Sequence, residues 1–253
     1  MPTIKQLTPG GLRYQARRVF ERLQSLALRG TAVTCPCCGS SFKHFLPAGV
    51  AQRPNARCPQ CGSLERHRLI WLYLQKNTDL FAMNYKVLDV APEEILQKKL
   101  RAVPNLDYLS IDLESPLAMK KMDITKLDLP DNSYDVIFCN HVFEHIPDDR
   151  AAMSELRRVL KPNGWAILQT PIDLQRATTD EDPSITDPQE LLRRFGQTDH
   201  IRIYGRDFFD RLKESGWTIN RERFIDHLTV GEVARYALDP KEELFVGREK
   251  NKH

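Results

Sequence analysis

The stretch from Tyr134 to Gln169 constrains the fold most. It reads Y-D-V-I-F-C-N-H-V-F-E-H-I-P-D-D, continues through a segment ending R-R-V-L-K-P-N-G, and resumes as W-A-I-L-Q. An apolar strand enters a polar, histidine-bearing turn. A helix follows, a Pro-Asn-Gly turn closes it, and a second apolar strand begins. This is one strand–helix–strand unit of a doubly wound parallel sheet. Such sheets bind ligands at the carboxyl ends of their strands, where Asn140, His141, Glu144 and His145 fall.

The cysteines are the second constraint. Cys35-Pro36-Cys37-Cys38-Gly39 and Cys58-Pro59-Gln60-Cys61-Gly62 both fit C-P-x-C-G. A C-x-x-C turn aims two thiolates at one metal, and the glycine after it permits a positive φ. Two knuckles about 20 residues apart match the zinc-ribbon pattern, so Cys35, Cys38, Cys58 and Cys61 are expected to hold a structural Zn²⁺. Cys37 is expected to be a bystander, able to replace Cys38 only if the first turn slips. The loop from Phe42 to Arg57 has Lys43, Arg53 and Arg57 as its fixed cations, thin for phosphate binding. A scaffold or substrate-covering role is therefore expected of this module.

The formal net charge of +3 does not by itself imply nucleic acid binding. No apolar run approaches the roughly 20 residues of a membrane helix, and the N-terminus has no signal core, so a cytoplasmic enzyme is expected. Residues 11–29 carry Leu12, Ala16, Val19, Leu23 and Leu26 at helical spacing, with Arg13, Arg17, Arg18, Arg22 and Arg29 away from that stripe. Docking on the protein itself is the expectation, and peripheral contact with an anionic membrane the alternative. Ser63 is positioned to cap a helix running to about Asn77. On it, Arg66 and His67 are candidate substrate groups. The expected organisation is an amphipathic helix over 1–30, a zinc-ribbon-like module over 31–64 and a Rossmann-like α/β domain over 65–253.

Lys86–Val90, Leu106–Leu113, Asp135–Cys139 and Trp165–Thr170 read as core strands, with helices around 93–101 and 148–161. Trp217–Arg221 and Glu243–Gly247 read as later strands, the last antiparallel. This arrangement, above all D-N-S-Y-D-V-I-F-C-N-H-V-F-E-H-I followed by R-V-L-K-P-N-G, resembles the class I S-adenosylmethionine-dependent methyltransferases over roughly residues 84–250. The resemblance implies a seven-stranded sheet and S-adenosylmethionine as cofactor. It implies that Asp112 grips both ribose hydroxyls, that Asp123 and Ile124 meet the adenine, and that Asn140 ends the strand under the methionine part. Asp89, Ala91, Pro92, Glu93, Leu113 and His141 complete the implied cofactor set. One departure stands out: the family's first strand runs into a glycine-rich turn, whereas here it reads V-L-D-V-A-P-E. Ala91 is the smallest substitute, Pro92 fits the first position of a helix, and Glu93 would oppose the methionine carboxylate.

Methyl transfer needs in-line placement of a nucleophile and often a base. His145 and His141 are the candidate bases. His200, Arg202 and Tyr204, beyond the acidic loop Asp180–Asp187, are candidate substrate groups. The leading expectation is a methyltransferase for a small-molecule or sugar-containing acceptor. One alternative is an RNA or DNA methyltransferase using the ribbon for nucleic acid. Against it, the fourth strand ends in Asn-His, and Cys139 lacks the preceding proline of a cytosine nucleophile. Another is a non-catalytic zinc-binding module on a degenerate cofactor fold.

Overall fold

A computed structural model describes residues 22–249. The described residues fall into two compact units, one over 22–77 and 224–242, the other over 78–223 and 243–249. Helix Glu65–Asn77 thus groups with the cysteine module, although the sequence placed a boundary at residue 65. The excursion over 224–242 has no counterpart in the expected organisation. Among the described residues no helix is long and apolar enough to cross a membrane.

Most of the helix expected over 11–29 lies outside the described residues. Residues 22–27 are helical, and Arg29 already opens a strand. Leu23 and Leu26 are 60% and 62% exposed, whereas Ser25 is buried and donates to Gln60 Oε1 at 2.8 Å. Here the docked face is the serine's, so the expected burial of these two leucines is not what the structure shows.

In the first unit, β1 (Arg29–Thr34) pairs with β2 (Ser41–Phe42), and β3 (Leu46–Ala48) with β4 (Arg53–Arg57), both antiparallel. Helix α1 (Glu65–Asn77) follows, with its segment from Leu69 to Leu74 buried. Ser63 does not cap it. The Leu64 N–H is accepted by His67 Nδ1 at 3.0 Å, so a side chain one turn inside the helix takes that role. Arg68 is fully buried. Its guanidinium donates to the carbonyls of Asn55, Ala56, Ser63, Tyr236 and Ala237, at 2.6 to 3.3 Å, and lies over the Phe45 ring. All five donors of the fork are therefore used.

The second unit is built on a seven-stranded sheet. Its strands are β5 (Tyr85–Val90), β6 (Leu106–Asp112), β7 (Lys120–Lys121), β8 (Tyr134–Asn140), β9 (Leu160–Gln169), β12 (Trp217–Glu222) and β13 (Leu244–Glu249), in the order β12-β13-β9-β8-β5-β6-β7. A two-stranded ribbon of β10 (Asp180–Glu181) and β11 (Arg202–Ile203) lies apart from it. In this sheet β13 runs antiparallel to β12 and β9, and the other neighbouring strands pair in parallel. Helices α2 (Glu94–Leu100), α3 (Asp149–Val159) and α5 (Phe208–Glu214) pack on β6, β9 and β12. Helix α4 (Pro188–Phe195) is capped by Asp187 and ends at Gly196 with φ +82°.

Helix α3 buries Ala152, Met153, Leu156 and Val159, one apolar stripe at helical spacing. It meets Ile137, Leu168, Phe208 and Trp217 in the core. Each buried leucine or phenylalanine there contributes roughly 1.5–3 kcal/mol. The Pro-Asn-Gly triplet is not a closing turn, as expected, but a bulge inside β9. Leu160 pairs with Tyr134, and the register then jumps so that Trp165 pairs with Val136. A Cβ on Gly164 would lie 2.8 Å from the Asp135 carbonyl oxygen, so this close approach requires glycine.

Candidate active site and cysteine cluster

The sheet reverses its winding at β5, which has β6 on one side and β8 on the other. Val90 still pairs with Cys139. One residue further, the strands part. The Ala91 N–H donates to Ile111 O on β6 at 2.8 Å, and the His141 N–H donates to Gln169 O on β9 at 2.7 Å. Both residues sit in the left-handed region, at φ +49° and +56°. The crevice therefore opens between the carboxyl ends of β5 and β8, the switch point where such sheets receive ligands. The glycine-like turn exists without a glycine. Pro92 is not the first residue of α2, as expected. Glu93 is extended and the helix starts at Glu94, so the proline lies two residues outside it.

Two carboxylates mark this rim, and a third is buried. Asp112, at the end of β6, accepts from the Glu114 and Ser115 amides through Oδ1, both at 2.7 Å, and its Oδ2 has no hydrogen bond among the described residues. Leu113 beside it is 61% exposed. Asp123 is exposed and accepts from the Thr125 amide and hydroxyl, which hold its carboxyl below the ordinary range, while Ile124 turns into the core. Asp89 lies buried within β5. Burial pushes its pKa up to about 7 against the Tyr108 hydroxyl, which donates to it. Asn140 is 6% exposed, and its Oδ1 has no partner among the described residues. A buried acceptor with no protein partner at the mouth of a crevice suits a ligand that donates.

Beyond β8 the turn Phe143–His145 carries a polar cluster. Glu144 is almost fully buried. Its Oε1 lies 3.2 Å from His141 Nδ1 and 4.0 Å from His200 Nε2, and its Oε2 accepts from Thr170 Oγ at 2.9 Å. Burial pushes the Glu144 carboxyl up, but the His141 hydrogen bond and charge prevail and hold it below the ordinary value. His145 donates from Nδ1 to the Asp199 carbonyl at 2.9 Å, which leaves the lone pair of the neutral ring on Nε2. Its ring meets His200 edge-on at 4.8 Å. Burial lowers the pKa of His200. Burial, with Glu144 and Asp89 nearby, raises the pKa of the Cys139 thiol well above its ordinary value, which disfavours the thiolate.

Arg202 and Tyr204, expected to meet substrate, instead hold this turn from behind. The Arg202 guanidinium donates to the carbonyls of Phe143, Ile146 and Pro147 and pairs with Glu181. Tyr204 is fully buried and donates to Asp149 Oδ2 at 2.7 Å. Arg211 bridges Asp149 and Glu181. The Ile201 N–H donates to Glu144 O at 3.0 Å. Together these bonds bring His200 against a turn more than fifty residues earlier. Asp149, Thr170, Glu181 and Arg211 were not singled out from the sequence. Thr170 carried a signal in its place at the end of a core strand, and Glu181 in the acidic loop Asp180–Asp187. Arg66 and His67 lie on α1 of the first unit, where His67 is buried and its Nδ1 serves the Leu64 amide.

The two knuckles of the first unit are near-copies. The Gly39 and Gly62 amides donate to the Cys35 and Cys58 carbonyls at 2.8 and 2.9 Å, and the Cys35 and Cys58 amides to the Ser40 and Ser63 carbonyls, both at 2.9 Å. Both glycines have φ near +75°. The sulfurs of Cys35, Cys38, Cys58 and Cys61 all lie within 4.8 Å of one another, with Cys35–Cys61 at 3.6 Å and Cys38–Cys58 at 3.8 Å. A tetrahedron with Zn–S bonds of ~2.3 Å has edges of about 3.8 Å, so the donor set fits that ion. Cys37 turns away toward the His67 carbonyl.

Residues 71–168 match the family described as a methyltransferase domain. An uncharacterised methyltransferase of Schizosaccharomyces pombe is 33% identical over 81 residues, 32% of this chain and 29% of the relative. The ubiquinone biosynthesis O-methyltransferase of Albidiferax ferrireducens is 28% identical over 87 residues, 33% of this chain and 31% of the relative. A tRNA U34 carboxymethyltransferase of Nautilia profundicola is 30% identical over 88 residues, 34% of this chain and 29% of the relative. The chain thus spans under a third of the length of these relatives. Among solved structures, the [4+2]-cyclase SpnF shares the fold with a TM-score of 0.52 at 15% identity, over 81% of this chain and 87% of that one. This protein has the seven-stranded α/β methyltransferase fold, and its residues 71–168 are similar to a methyltransferase domain.

Proposed function

We propose that the protein is an S-adenosylmethionine-dependent methyltransferase acting on a small-molecule or sugar-containing acceptor. The observation that carries this reading is the parting of β5 and β8 at Ala91 and His141, with Asp112 Oδ2 and Asn140 Oδ1 left as acceptors at the rim. Asp112 would take the ribose hydroxyls through Oδ2, its Oδ1 being held by two loop amides. Asn140 would accept from the ammonium of the methionine part, and Asp123 and Leu113 would border the adenine. S-adenosylmethionine supplies a methyl group on a sulfonium, already electrophilic, so the protein's share is placement and proton removal. His141, backed by Glu144, is suited to take an acceptor proton. His145, fixed by the Asp199 carbonyl, orients beside it. We further propose that the four cysteines hold a closed, structural zinc ion, with the buried Arg68 cation offsetting the charge of the thiolates.

Asp112→Ala tests both parts. It is expected to abolish binding of S-adenosylhomocysteine in calorimetry while one zinc per chain remains by elemental analysis. Unchanged affinity in this variant contradicts the cofactor assignment, and wild-type protein without zinc contradicts the cysteine assignment.

A further inference from the structure

The geometry points to a second cation site, formed by Glu144, His145 and His200, that takes a divalent transition-metal ion of the zinc class. One donor atom from each lies within 4.8 Å of the others. Glu144 Oε1 and His200 Nε2 stand 4.0 Å apart, too far for a hydrogen bond, although both side chains are nine-tenths or more buried. The gap between two buried, complementary groups is the space an ion would fill. Two imidazoles and a carboxylate are the donor set of open zinc sites, in contrast to the closed set of four cysteines.

The outer contacts are those of a metal site. His145 Nδ1 is held by the Asp199 carbonyl, which leaves the Nε2 lone pair available as a metal donor. Glu144 Oε2 is held by Thr170, and Oε1, which accepts from His141 Nδ1 at 3.2 Å, keeps a second lone pair for an ion. Such contacts fix tautomer and ring orientation in metal sites. The sequence-distant ligand is delivered by the Ile201–Glu144 backbone bond. Donors around zinc stand about 3.4 Å apart at bond lengths of ~2.0–2.1 Å, so the site closes by movements of about 1 Å per side chain. His141 and His145 have side chains 29% and 31% exposed, so the remaining coordination position is accessible from their side. An ion there would bind an acceptor oxygen and favour its ionised form. His145 would then be a ligand, leaving the base role to His141. The inference goes beyond the methyl-transfer reading, and cation binding is measured without cofactor or acceptor.

The test is calorimetric titration of tag-free, full-length protein, already loaded at its cysteines, with Zn²⁺ and separately with Co²⁺. A second equivalent is expected. His200→Ala and His145→Gln should lose it while keeping the cysteine-held ion and the wild-type circular dichroism. His145 is partly exposed, so His145→Gln keeps the test sound if His200→Ala does not fold. Thr170→Val, which removes only the outer contact, should weaken the second equivalent ~10–100-fold. A wild-type protein that takes up no second equivalent overturns the inference, as does a second equivalent that survives both ligand substitutions. A second equivalent without S-adenosylhomocysteine binding would sustain this site and sink the methyl-transfer reading.

Discussion

Ala91 and His141 take the same left-handed backbone conformation one residue beyond adjacent parallel strands, and their amides turn away from each other, to Ile111 and Gln169. The crevice exists because both residues make that turn. A side chain in this region costs roughly 1–2 kcal/mol, and glycine relieves it while losing some chain entropy.

Ala91→Gly should therefore raise stability by about 0.5–1 kcal/mol and leave the turn in place. Denaturant unfolding measures it. A destabilised variant would show that the alanine methyl, not the backbone angle, decides this position.

Asp89 gives a pH dependence. Its pKa is 3.8 ordinarily and about 7 in the folded protein, where burial dominates. The folded state then binds the proton more tightly, so the contribution is fully present below about pH 4 and is lost as pH rises through about 7. In Asp89→Asn, Tyr108 keeps an acceptor but no proton is released. The variant's stability relative to wild type should improve between pH 4 and 8, by about 4 kcal/mol at the limit. A difference that stays constant over this range would contradict the buried-acid account.

Arg68 is the third position. Arg68→Met would leave five carbonyls without their donor, and a loss of about 3–5 kcal/mol is expected in thermal or denaturant unfolding. Arg68→Lys should recover little, because three donors on a point charge cannot reproduce the fork. Full rescue by lysine would mean that charge alone matters there.

The sheet was legible because its signals are local. The apolar runs of β5, β6 and β8, the stripe on α3 and the C-P-x-C-G knuckles each declare themselves within a few residues. Arg68 escapes a reading from sequence, since nothing local marks a cation that five backbone carbonyls, two of them more than 160 residues away, will surround. Arg202 and Tyr204 looked like substrate groups for the opposite reason. Their chemistry is visible in sequence, but their partners at Phe143, Asp149 and Glu181 are 21 to 61 residues away. Leu23 and Leu26 fit a helical stripe whose exposure periodicity cannot decide. The Pro-Asn-Gly triplet has turn chemistry, and only the pairing of Leu160 with Tyr134 makes it a bulge.

The central claim is that the crevice between β5 and β8 binds S-adenosylmethionine without a glycine-rich turn. Calorimetric titration of zinc-loaded protein with S-adenosylmethionine and S-adenosylhomocysteine tests it most directly. The account predicts one site per chain with micromolar affinity for both. A folded protein that binds neither would contradict it and make this a methyltransferase fold used for something else.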